Sequence, residues 1–135
     1  CFGAQTLATT RGGEAQRRST FYRAVDTVPW TGGSSRGPWV LWHEDAITSS
    51  GSAEVVSELP HAVIALRSGN AWGVQAHIEL DAPALERLAQ AVDAPEETSR
   101  PLIDLLRENA EQVTAATFQF LDLALSSPPT QAPPS

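Results

Sequence analysis

The sequence predicts an α/β domain, and three observations carry that reading. Between residues 14 and 80 the apolar residues fall in short β-branched or aromatic runs separated by Pro, Gly and Ser clusters, which is how strands and turns are punctuated. After Asp81 the apolar spacing changes to that of helices. A short, moderately apolar segment ended by paired glycines precedes both regions.

Taken in order, "GAQTLATT" before Gly12 and Gly13 fits one or two helical turns with a glycine C-cap, and puts Cys1 at a helix N-terminus. The segments "EAQRR", "FYRAVDTV" and "PWVLWHE" read as three strands joined by loops such as "WTGGSSRGP". In "HAVIALRSGNAWGVQAHIEL" two apolar runs flank Ser68, Gly69 and Asn70, a turn-forming trio that predicts a hairpin with His77 at the end of its second arm. "DAPALERLAQAV" has Asp81 as a cap, Pro83 in the first turn, and Leu85, Leu88, Ala89 and Val92 at helical spacing. A longer helix is expected from about Pro101 to Leu125, with Leu102, Leu105, Leu106, Val113, Ala116, Phe120 and Leu121 on its apolar face. The segment 126–135, "SSPPTQAPPS", is too rich in Pro and polar residues to pack and is expected to be disordered, which leaves residues 1–125 as one domain.

The 135 residues can bury a sizeable core. The net charge of −7 is unevenly spread: residues 1–43 hold five Arg against two acids, and residues 44–135 hold four Arg against fourteen acids. That balance argues against nucleic acid as a partner. No apolar run approaches the length of a membrane span, so no membrane association is expected. A single Cys excludes an intramolecular disulfide framework and a multi-cysteine zinc site, which makes a reducing compartment such as the cytoplasm the expectation. The absence of Met suggests that residues before Cys1 were removed or left out.

Two stretches could carry chemistry. A thiol at a helix N-terminus meets the positive end of the helix dipole, which favours the thiolate. Gly3 would let another backbone approach that turn, and Gln5, four residues from Cys1, shares its helix face. In "GVQAHIE", His77 and Glu79 are two apart, so in an extended chain they point to one side and the carboxylate can hold one ring nitrogen while the other faces a nucleophile. Each stretch also has a structural reading, a buried inert Cys and a solvated His–Glu pair. His43 reads as structural and His61 as exposed. Neither has the companions of a zinc site, and no metal or other cofactor is expected. The four tryptophans read as core or pocket-lining mass.

With "CFGAQ" first, "GPWVLWHED" in the middle and "GVQAHIE" last, the chain resembles the class I glutamine amidotransferase domain from Cys1 to about Val92. That family's nucleophile elbow reads Gly-x-Cys-x-Gly-x-Gln, its later motif reads Gly-x-Gln-x-His-Pro-Glu, and many stand-alone members carry Trp-His-x-Asp between them. Here Ile78 stands in place of the Pro. The resemblance implies a three-layer, flavodoxin-like α/β fold with a mostly parallel sheet, of which this chain would be the C-terminal part, lacking the N-terminal strands. It implies Cys1 as nucleophile, His77 as general acid/base and Glu79 as its orienting carboxylate. Phe2 would give a backbone N–H to the oxyanion hole, and Phe2, Gly3 and Gln5 would together form the substrate-binding turn. Glutamine is the implied substrate, hydrolysed through a cysteinyl thioester, with the ammonia passed to an acceptor on a synthetase domain or partner. Without the upstream strand and oxyanion loop, little activity is expected of these residues alone. Two alternatives stand beside this reading. One is a catalytically silent amidotransferase-like binding or regulatory protein. The other is an N-terminal-nucleophile amidotransferase, in which the amino group of Cys1 acts as base.

Overall fold

The computed structural model describes residues 1–126 and combines four helices with a five-stranded sheet. Helix α1 (Phe2–Thr10) has Cys1 at its N-cap position, with no capping bond from that side chain. It ends in a Schellman turn: Gly12 has φ +82, its N–H bonds to Thr9 O at 3.2 Å, and the Gly13 N–H bonds to Ala8 O at 2.8 Å. Strands β1 (Glu14–Trp30) and β2 (Ser34–Ser49) follow, then β3 (Glu54–Leu59), β4 (Ala62–Ser68) and β5 (Ala71–Val74). The two segments expected as separate strands, "EAQRR" and "FYRAVDTV", form the single strand β1, whose pairing with β2 is broken between Arg17 and Tyr22. That irregularity absorbs the polar residues between them.

The sheet is not parallel. Among the described residues every strand pairing is antiparallel, with order β1-β2-β4-β3 and β5 also on β4. The reason lies in the connections, residues 31–33, 50–53, 60–61 and 69–70. Each is far shorter than the roughly dozen residues a parallel crossover requires. The expected hairpin at Gly69 and Asn70 is present as β4–β5, while β3 is a strand that the reading of the sequence passed over.

Helix α2 (Ala82–Ala91) starts as expected: Asp81 accepts a hydrogen bond from the Ala84 N–H at 2.9 Å, and Pro83 occupies the first turn. The long helix expected from Pro101 to Leu125 is two helices, α3 (Glu96–Glu108) and α4 (Ala110–Ser126), with Asn109 as the break. Asn109 satisfies the end of α3 with its side chain, Nδ2 donating to Leu105 O at 2.8 Å. The break turns the two apolar faces independently, and Leu105 and Leu121, expected inside, are both 39% exposed. Residue 126 ends α4, and the rest of the segment expected to be disordered, 127–135, lies outside the described residues.

Adjacent residues of β2 point to opposite faces, and both faces are covered. Trp39 and Leu41 pack with Ile64 of β4 and Phe120 of α4. Val40 and Trp42 pack with Leu85 of α2 and Ile103 and Leu106 of α3. Phe120 stands edge-on to Trp30, Trp39 and Trp72, with centroids at 6.0, 6.0 and 5.8 Å. Such pairs contribute about 0.5–1.5 kcal/mol each beyond their buried area. The tryptophans are core mass, as their sequence context suggested. Trp30, Trp39 and Trp72 also fix α4, from which Thr117 reaches the Ile78 carbonyl at 2.8 Å.

Candidate active site

The sheet forks where the site lies. β3 occupies one edge of β4 along its length, so β2 and β5 share the other edge, β2 at Val63 through Ile47 and β5 from Ala65 onward. The chain leaving β5 crosses the fork. Gln75 N–H donates to Ile64 O of β4 at 2.6 Å, and two residues later His77 N–H donates to Val40 O of β2 at 2.7 Å. Between Val40 and Ile47 the inner edge of β2 therefore faces a cleft. The carbonyls of Trp42 and Asp45 both accept side-chain hydrogen bonds there. Opposite this stretch the pairing of β1 with β2 shifts register, between Arg17 and Tyr22.

Cys1 reaches this cleft because α1 lies directly on β5. A side chain at Gly73 would begin 2.9 Å from Ala4 Cα, so only glycine permits this approach. Cys1 N donates to Val74 O at 3.2 Å. Its Sγ is half-buried and faces two amide donors, Gln5 Nε2 at 3.5 Å and Gln75 Nε2 at 3.4 Å. Both amides also donate to Asp45 O, at 3.3 and 3.0 Å. The first hydrogen bond of α1 runs from Gln5 N–H to Cys1 O, which leaves the N–H groups ahead of it without partners inside the helix. The expectation of a close backbone approach at Gly3 is not met. Gly3 and Phe2 are exposed, and nothing among the described residues lies within 4 Å of a side chain built at Gly3.

His77 Nδ1 and Glu79 Oε1 are 2.8 Å apart. The contact is made as expected, though through a turn at Ile78 and Glu79 instead of an extended strand. The expectation that the other ring nitrogen faces a nucleophile is not met: His77 Nε2 lies 3.2 Å from Trp42 O, because the ring sits against the edge of β2. The hydrogen bond from His77 holds the Glu79 carboxyl below its ordinary value. Burial pushes the Cys1 amino group down, with the Glu79 carboxylate opposing, which places Cys1 and Glu79 within electrostatic reach of each other.

The sequence assigns Gln75 no role, and the pair His43 and His61 differs from its expected form. Gln75 is 0% exposed, with its Oε1 unpartnered. The available signal is its place in "GVQAHIE", where it stands at the Gln of the pattern Gly-x-Gln-x-His-Pro-Glu. His43, read as structural, is buried in β2 and joined to His61, Nε2 to Nε2, at 3.0 Å. His61 is half-buried instead of exposed, stacked on Tyr22 at 4.1 Å. Among the described residues there is no cluster of three or more His, Cys, Asp or Glu that could hold a metal, and no helix is long and apolar enough to cross a membrane.

The sequence matches no family model and no curated protein. The structure is similar to that of a glutamine amidotransferase from Thermotoga maritima, with a TM-score of 0.78 at 21% sequence identity, covering 94% of this chain and 61% of that one. At that identity the likeness is one of fold, and this chain spans less than two thirds of the other protein's length.

Proposed function

We propose that this chain carries the glutamine-hydrolysing site of a class I glutamine amidotransferase, with Cys1 as nucleophile, His77 as general acid/base and Glu79 as its orienting carboxylate. The observation that carries the reading is the 2.8 Å His77–Glu79 contact, made three residues beyond Val74, whose carbonyl holds the amino group of Cys1 at the start of α1. The likeness in fold to a glutamine amidotransferase supports it.

In this reading the Cys1 thiolate attacks the carbonyl carbon of the glutamine side-chain amide. The resulting oxyanion is met by the Phe2 N–H at the start of α1, where the helix dipole adds to the stabilisation. His77 gives a proton to the amide nitrogen, the C–N bond breaks, ammonia leaves, and a γ-glutamyl thioester remains. A water that loses its proton to His77 attacks the thioester carbonyl, the C–S bond breaks, and glutamate and the free Cys1 thiolate are released. Ammonia is then available to an acceptor in a synthetase domain or partner.

A second reading, a catalytically silent relative that binds without hydrolysing, has one observation in its favour. His77 Nε2 is engaged by the Trp42 carbonyl and must leave it to act on substrate. One experiment separates the two: ammonia release from glutamine by the protein that carries this chain, beside its Cys1→Ala variant. Release that disappears in the variant supports the enzyme. Release unchanged by the substitution removes Cys1 as nucleophile, and absence of release from the parent favours the silent relative.

A further inference from the structure

Gln75 is a buried amide that the proposed triad does not use. Its backbone N–H completes the sheet by bonding to Ile64 O at 2.6 Å, and its side chain makes one bond to the fold, to Asp45 O at 3.0 Å. Its Oε1 is buried without a partner. That carries a desolvation penalty which an apolar side chain of the same length, such as Met, would avoid.

The orientation of the amide is fixed by its surroundings. Asp45 O can only accept, so Nε2 must face it, at 3.0 Å, and the second N–H on that nitrogen is left for Cys1 Sγ at 3.4 Å. Gln5, from α1, repeats the arrangement at 3.3 and 3.5 Å. Two amides from separate elements thus bridge one carbonyl and one sulfur. A thiol makes weak use of two donors, whereas a thiolate accepts both as charge-assisted bonds. Gln5 is partly exposed and can also meet a bound ligand. Gln75 is fully enclosed and can act only through the sulfur.

We propose that Gln75 is a positioning residue that, opposite Gln5, clamps Cys1 Sγ beside the Asp45 carbonyl and stabilises it as the thiolate. This rests on the reading of Cys1 as nucleophile, but its test does not need glutamine turnover. In the protein that carries this chain, Gln75→Met should slow alkylation of Cys1 by iodoacetamide at neutral pH by about 10- to 100-fold, the range for one hydrogen bond to a charged group. The pH profile of alkylation should move to higher pH, and where glutamine is hydrolysed kcat should fall with KM little changed. Slowed alkylation in a folded variant supports the clamp even if glutamine is not a substrate. A parental rate and parental pH profile overturn it. Should Gln75→Met fail to fold, the unsubstituted protein still decides: the Gln75 side-chain amide resonances should shift as the Cys1 thiol ionises, and resonances that stay fixed across that titration overturn the proposal.

Discussion

His43 and His61 meet tip to tip, their Nε2 atoms 3.0 Å apart and their ring planes differing by 11°. One proton fits between the two nitrogens, donated by one ring and accepted by the other. Burial, followed by the proximity of His61 and His77, lowers the His43 pKa from 6.5 to about 4. Between those two values the unfolded chain takes up a proton that the folded chain refuses. Stability is therefore full above the unfolded value, falls as the pH drops through this window, and levels off below it. The loss amounts to up to about 3 kcal/mol. Thermal melts of the parent and of His43→Gln from pH 7 to pH 4.5 check this: the substitution should flatten the pH dependence, and equal slopes would count against it.

Glu79 is mostly exposed and acts through His77. In the proposed enzyme, Glu79→Gln keeps the side-chain shape but replaces a charged acceptor of the His77 Nδ1 proton with a neutral one. Turnover should fall by at least tenfold, a loss of about 1.4 kcal/mol in barrier terms, with a smaller change in KM. Steady-state glutamine kinetics read both, and a variant changed only in KM would contradict an orienting role.

At Gly73 an added methyl collides with Ala4 Cα and Cβ, at 2.9 and 3.2 Å. Because that atom is backbone, α1 must move as a body, and Cys1 with it. Gly73→Ala is expected to lower the melting temperature by several degrees, an overpacking cost of about 1–3 kcal/mol, and to loosen Cys1 from Val74. Hydrogen exchange at the start of α1, faster in the variant, is the measurement.

Thr117 ties α4 to the turn that carries Glu79 through the Ile78 carbonyl. Thr117→Val keeps the volume and removes the donor, at a cost of about 1–3 kcal/mol for the carbonyl left behind. The His77–Glu79 geometry should relax with it, so glutamine turnover should drop while the far-UV spectrum stays parental. Unchanged turnover would show that the turn holds its shape unaided.

The helices around Asp81 and at Cys1 were legible because their signals are local: a cap, a proline in the first turn, and a glycine pair at the end. The hairpin at Gly69 was legible for the same reason. The strand direction is legible in the short connections, none of them long enough for a parallel crossover, whereas the order of the motifs points to a parallel sheet. Asn109 was missed as a break because the apolar spacing carries through it, although its side chain caps the preceding helix. At the candidate site, His77 and Glu79 stand two apart and their contact was readable. The approach of Gln75 to Cys1 joins residues 74 positions apart and depends on the fork between β2 and β5, which no local pattern encodes.

The fork also sets an order of assembly. The β1–β2 and β4–β5 hairpins close through connections of three and two residues, 31–33 and 69–70, events that take microseconds in isolation. The sulfur of Cys1 can meet Gln75 only after α1 has docked on a completed β5, a closure between residues 74 positions apart in the chain. A partly folded chain therefore has its hairpins before it has its clamp. The thiol stays an ordinary one until the last elements come together.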